Sequence, residues 1–126
     1  MPTTVVETLP NGLQLLVRED GSADVASVQL WCRTGSIHEG DWMGAGLSHF
    51  VEHMLFKGTG KRGLGEIALG VQERGGYINA YTSFDRTVDW IDTPSAGMAE
   101  AIDCLVDAAS GSLMPEEEVA KEREAV

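Results

Sequence analysis

The chain has 126 residues, 43% of them hydrophobic, with 20 acidic against 9 basic side chains and a formal charge of −11. That length fits one domain at most, with room for a real core. The acidity argues against nucleic acid as a partner, which is gripped by a basic face, and no apolar run approaches the roughly 18 residues of a membrane span.

Met1-Pro2-Thr3-Thr4 leads straight into a strand-like segment. No basic stretch precedes an apolar one there, so no secretory signal is visible and a cytoplasmic location is favoured. Segments 5–9 and 13–19 flank Asn11-Gly12, a strong hairpin signal. Residues 25–33 alternate well enough for a third strand, and residues 34–43 read as a polar, glycine-bearing loop in which His38 is solvent-exposed with no metal role. A helix is expected over residues 45–56, stopping near Gly58-Thr59-Gly60, with Leu55 and Phe56 in the core and much of its surface buried. A short helix over residues 65–74 ends at Gly75-Gly76, and strands follow at 77–83 and 87–92.

Pro94 opens a helix over residues 95–109, with Ala99, Ile102, Leu105, Val106 and Ala109 at helical spacing. Pro115 suits the start of a last helix, and its run of Glu116, Glu117 and Glu118 reads as a solvated face with acid at the favoured N-terminal end. Cys32 and Cys104 are far apart with no C-x-x-C pairing, so both are expected as buried free thiols. Strands mixed with helices suggest an α+β layered domain, an antiparallel-rich sheet covered by helices.

The chemistry concentrates in His49-Phe50-Val51-Glu52-His53. Positions i, i+3 and i+4 share one helix face, so two imidazoles close on one Zn²⁺ while Glu52 is placed to take a proton from its water. This order reverses the commoner His-Glu-x-x-His and marks the inverted zincins. The plain alternative is a polar helix face that happens to carry three such residues. The apolar neighbours Phe50, Val51, Met54, Leu55 and Phe56 argue against it, because burying those groups without a partner is unfavourable.

The flanks widen the pattern. Gly46-Leu47-Ser48-His49-Phe50-Val51-Glu52-His53-Met54-Leu55-Phe56-Lys57-Gly58-Thr59 resembles the core signature of the pitrilysin/insulinase-type zinc peptidases. Leu9-Pro10-Asn11-Gly12-Leu13 and Arg33-Thr34-Gly35-Ser36 match ahead of it. Gly75-Gly76-Tyr77-Ile78-Asn79-Ala80-Tyr81-Thr82 and Asp85-Arg86-Thr87 match after it, in the same order. The resemblance implies a zinc-dependent metalloendopeptidase, with His49 and His53 as metal ligands and Glu52 as the catalytic base. It implies a third ligand, a Glu on a later helix falling beyond Val126, so that residues 1–126 are the N-terminal part of a single metallopeptidase domain and are inactive alone. Glu122 then takes the place of an earlier Glu that supports the site without ligating, and Asn79 and Ala80 lie on the strand beside which a substrate peptide adds. The partners implied are a peptide or protein substrate and a second peptidase-like domain or subunit. Two other readings are a non-catalytic, peptidase-like scaffold subunit and a peptide-binding module with a closed four-ligand zinc. The intact His49-Glu52-His53 set weighs against the scaffold.

Overall fold

Asn11 and Gly12 reverse the chain by local chemistry. The Leu13 N–H donates to Asn11 Oδ1 at 3.0 Å, and Gly12 takes φ +88°, a conformation glycine adopts freely. The computed structural model, which describes residues 1–125, therefore starts with an antiparallel hairpin of β1 (Thr3–Thr8) and β2 (Gln14–Glu19), Val5 opposite Val17. Both strands are exposed along their whole length, so the hairpin adds nothing to the core described below.

The main sheet contains β3 (Val25–Cys32), β4 (Tyr77–Thr82) and β5 (Thr87–Pro94) in the order β3-β5-β4, antiparallel throughout. β5 is central, and β4 is an edge strand of this sheet. Register puts Leu30 and Ala80 on either side of Asp89, and Val28 and Ile78 on either side of Ile91. Alternation then sends Ile78, Ala80 and Thr82 to one face with Asp89 and Ile91. The helices α2 (Glu66–Glu73) and α3 (Met98–Gly111) cover that face. Ile67, Val71, Ile91, Ala101, Cys104, Leu105 and Ala108 form the core between them, with Val28, Leu30, Phe56 and Ile78 packed against it. Each fully buried aliphatic there contributes about 1.5–3 kcal/mol.

The α3 stripe differs from the sequence expectation. Its buried face is Ala101, Cys104, Leu105 and Ala108, while Ile102 and Val106 are 45% and 51% exposed. Small residues on the sheet side let the helix sit close to β3 and β5, and that packing outweighs the bulkier neighbouring stripe. Cys104 is buried as expected, Cys32 only half-buried, and both thiols are free.

The motif lies in α1 (Leu47–Leu55), which packs on β4 and on α4 (Glu116–Ala125). α1 is less buried than its composition suggests. Glu52 and Met54 are its buried residues, whereas Leu47 and Val51 are 49% and 38% exposed, because β4 and α4 cover only one side of it. The acidic run also splits: Glu116 and Glu117 are exposed, but Glu118 is buried against α1 through Lys57. Two 3₁₀ turns, Ser36–His38 and Gly40–Trp42, replace the featureless loop expected before α1. Gly35 has no room for a Cβ, which would overlap the carbonyls of Ser83 and Phe84. That contact lets the Ile37 N–H donate to Phe84 O at 3.0 Å, joining the loop to the β4–β5 turn.

Beyond α1 the chain is fastened to the end of α3. Thr59 Oγ1 and Arg62 Nη1 both donate to Asp107 Oδ2 at 2.7 Å, and Arg62 Nη2 donates to Asp103 at 2.8 Å. Ser112 Oγ donates to Met54 O at 3.2 Å. No helix among the described residues is long and apolar enough to cross a membrane.

Candidate metal centre

Helical spacing carries His49, Glu52 and His53 to one face of α1, as the i, i+3, i+4 pattern requires. His49 Nε2 and His53 Nε2 are 2.9 Å apart, with their rings edge to face at 87°. One donor atom from each of the two imidazoles and from the Glu52 carboxylate falls within 4.8 Å of the others.

α4 supplies the next residue. His53 Nδ1 is 3.0 Å from Glu122 Oε2, and an ionised carboxylate only accepts, so Nδ1 carries the hydrogen. In the neutral ring Nε2 then presents a lone pair toward His49. Two imidazole nitrogens aimed at one point, one with its tautomer fixed from behind, are a donor set for a borderline cation such as Zn²⁺. Tetrahedral bonds of about 2.0–2.1 Å set two ligand nitrogens about 3.3 Å apart, so a small opening of this pair accommodates the ion. The residues present fit zinc.

The other oxygen of Glu122 is also engaged. Lys57 Nζ lies 2.8 Å from Glu122 Oε1 and 3.7 Å from Glu118 Oε2, while Lys121 Nζ donates to Glu118 Oε1 at 2.7 Å. The hydrogen bond from Lys57, then that from His53, holds the Glu122 carboxyl below the usual carboxylate range. The same bond to Glu122 pushes the Lys57 ammonium up. Glu118 is held low chiefly by Lys121.

β4 reaches the site from below. Thr82 Oγ1 donates to Glu52 Oε2, which fixes one oxygen of that carboxylate and leaves Oε1 without a hydrogen-bond partner among the described residues. Two positions along the neighbouring strand β5 is Asp89, 2% exposed and on the same face, with no protein partner for either oxygen among the described residues. Burial, then the nearby Glu52 charge, pushes its carboxyl up to about 6. At the other end of α1, the Ser48 N–H donates to Glu39 Oε1 at 2.7 Å, so a glutamate from the preceding loop caps the helix. That bond holds the Glu39 carboxyl low.

The structure thus brings His49, Glu52, His53 and Glu122 together. Asn79 and Ala80 lie on β4, the strand that α1 packs against, with Asn79 exposed and Ala80 half-buried. Asn79 Oδ1 accepts the Ala80 N–H at 2.8 Å, and its Nδ2 donates to the Tyr77 hydroxyl at 2.8 Å. His38 is exposed, its Nδ1 accepting the Gly35 N–H at 3.1 Å. Lys57, Thr82, Asp89 and Glu39 were not singled out by sequence reasoning. Strand alternation through Asn79-Ala80-Tyr81-Thr82 was the signal for Thr82, and Lys57 lies four residues past His53. Glu39 and Asp89 carried none.

A family model described as insulinase, peptidase family M16, matches residues 14–126. The chain belongs to that family. Within it, the probable mitochondrial-processing peptidase subunit beta of Arabidopsis thaliana is 36% identical over 125 residues, 99% of this chain and 23% of that protein. A crystal structure of a protease from Helicobacter pylori superposes with a TM-score of 0.92 at 32% identity, covering 98% of this chain and 30% of the protease. Pitrilysin superposes with a TM-score of 0.87 at 27% identity, covering 98% of this chain and 13% of pitrilysin. The chain therefore spans about a quarter of the curated M16 relative it matches. The α+β architecture is that of the pitrilysin-like peptidase domain.

Proposed function

We propose that residues 1–126 form the metal-binding part of a zinc metalloendopeptidase of the M16 family, with His49 and His53 holding the ion and Glu52 acting as the base. The convergence of His49 Nε2 and His53 Nε2 beside the Glu52 carboxylate carries this reading. Zinc held there would polarise the scissile carbonyl and acidify the attacking water.

The protein's own residues do the rest. Thr82 keeps Glu52 Oε2, so Oε1 takes the water's proton and later returns it to the leaving amine. Glu122 keeps the hydrogen of His53 on Nδ1 and so keeps the lone pair on Nε2. The open edge of β4 offers main-chain groups to an extended peptide, which gains affinity largely independent of its sequence. The Ala80 N–H is held by Asn79 Oδ1, so an incoming strand displaces that side chain to reach it.

Because Glu122 is committed to His53 and Lys57, it is not free to complete the zinc site. The third protein ligand is proposed to be a carboxylate from outside residues 1–126, and residues 1–126 alone to be inactive. A second peptidase-like domain or subunit, in keeping with relatives named as subunits, is proposed to close over the substrate. The test is Glu52→Gln in the full-length protein, expected to keep stoichiometric zinc and lose peptide hydrolysis. Retained turnover would remove Glu52 as base, and loss of zinc would make it a ligand.

A further inference from the structure

Glu122 supports His53 only while its carboxylate stays on Nδ1. A carboxylate on α4, close to a metal-binding imidazole, has two oxygens and more than one option. It can accept from His53, or turn toward the cation itself. The structure offers a physical reason for the first. Both Glu122 oxygens are used, Oε2 by His53 Nδ1 at 3.0 Å and Oε1 by Lys57 Nζ at 2.8 Å. Glu122 is only 14% exposed at its side chain and Lys57 26%, so water competes weakly for either bond.

Lys57 is itself held. Its backbone N–H donates to Met54 O at 3.2 Å, a 3₁₀-type bond that holds Lys57 two residues past the end of α1. Its ammonium lies between Glu118 and Glu122, which are one turn apart on α4, and Glu118 is anchored a second time by Lys121. The two helices are thus linked across a sequence gap by one cation between two carboxylates, at the turn that carries His53.

We propose that Lys57 is a positioning residue of the metal centre: by occupying Glu122 Oε1 it keeps Glu122 on His53 Nδ1, and so keeps the His53 Nε2 lone pair directed at the ion. The inference rests on the reading of His49 and His53 as ligands. Loss of the ammonium leaves Glu122 Oε1 unpaired in a half-buried place, and the carboxylate is then free to swing off His53. The imidazole loses its fixed tautomer, and the zinc affinity falls by about 10–100-fold, as it does when such supporting partners are removed.

The experiment compares wild type, Lys57→Met, Lys57→Arg and His53→Ala in the full-length protein. Zinc affinity is read by chelator competition, the His53 tautomer by nitrogen-15 imidazole spectra of the metal-free protein, and folding by thermal midpoint. The expected result is weaker zinc and mixed tautomers in Lys57→Met at an unchanged midpoint, with most of the affinity recovered in Lys57→Arg. Wild-type affinity and a single tautomer in Lys57→Met overturn the proposal. So does an affinity loss that follows the midpoint and is not recovered by arginine, since that is a packing effect. Failure of the underlying reading looks different: wild type and His53→Ala would then bind zinc alike, and the proposal falls with it.

Discussion

Asp89 gives the most quantitative expectation. It is 2% exposed on the central strand, its oxygens have no protein partner among the described residues, and its carboxyl is raised from 3.8 to about 6. In the unfolded chain the same group ionises near 3.9. A carboxyl raised on folding costs nothing at pH below its unfolded value. The cost grows as pH climbs toward the folded value and is constant above it. Two units at 1.36 kcal/mol each set the plateau at about 3 kcal/mol, roughly half of it already present near pH 5. Asp89→Asn removes the charge at nearly constant shape. It should stabilise the metal-free protein at about pH 8 by about 1–1.5 kcal/mol more than at about pH 5. Urea denaturation followed by circular dichroism measures both, and staying above the sequence pI of about 4.5 avoids precipitation. Part of the shift comes from the Glu52 charge, so the pH dependence should shrink in a Glu52→Gln background. An equal effect at the two pH values, or none at the higher one, would refute the account of Asp89 as a buried, unpaired acid.

The other expectations concern single contacts. Thr82→Val in the full-length protein deletes the hydroxyl that orients Glu52 and should lower kcat for the proposed peptide hydrolysis by about 10–100-fold, with zinc affinity by chelator competition unchanged. Gly35→Ala forces a Cβ into the Ser83 and Phe84 carbonyls and should lower stability by about 1–3 kcal/mol in urea denaturation, although its extended φ of −155° suits any residue. Leu105→Ala, 2% exposed at the centre of the core, should cost about 2–5 kcal/mol by the same measurement, while Ile102→Ala at 45% exposure should cost far less.

Local signals were the legible ones. Asn11-Gly12 marked the hairpin, and the spacing of His49, Glu52 and His53 put three functional groups on one helix face before any tertiary contact was considered. Periodicity alone does not choose the α3 face, because that helix admits two stripes, 101/104/105/108 and 102/105/106/109. The choice between them is made by the sheet, which favours the smaller side chains. Contacts such as Glu122 with His53, 69 residues apart, depend on how α4 is laid against α1, and no local pattern encodes that.

β5 makes the same point for the site itself. Read alone, Thr87-Val88-Asp89-Trp90-Ile91-Asp92 does not say whether Asp89 and Ile91 or Val88 and Trp90 face the helices, and Val88 is itself buried, 2% exposed, on the other face. Pairing with Ala80 and Leu30 decides it, turning Asp89 to the helix-covered face two positions from the residue paired with Thr82. A pattern that sought only an apolar core would not put an unpartnered acid there. Its position next to the strand that holds Glu52, and its response to the Glu52 charge, tie that unfavourable burial to the site rather than to the core. The sheet therefore serves two needs at once: its edge strand orients the base through the Thr82 hydroxyl, and its central strand sets a second, buried acid near the base, whose own carboxyl the Glu52 charge helps to raise.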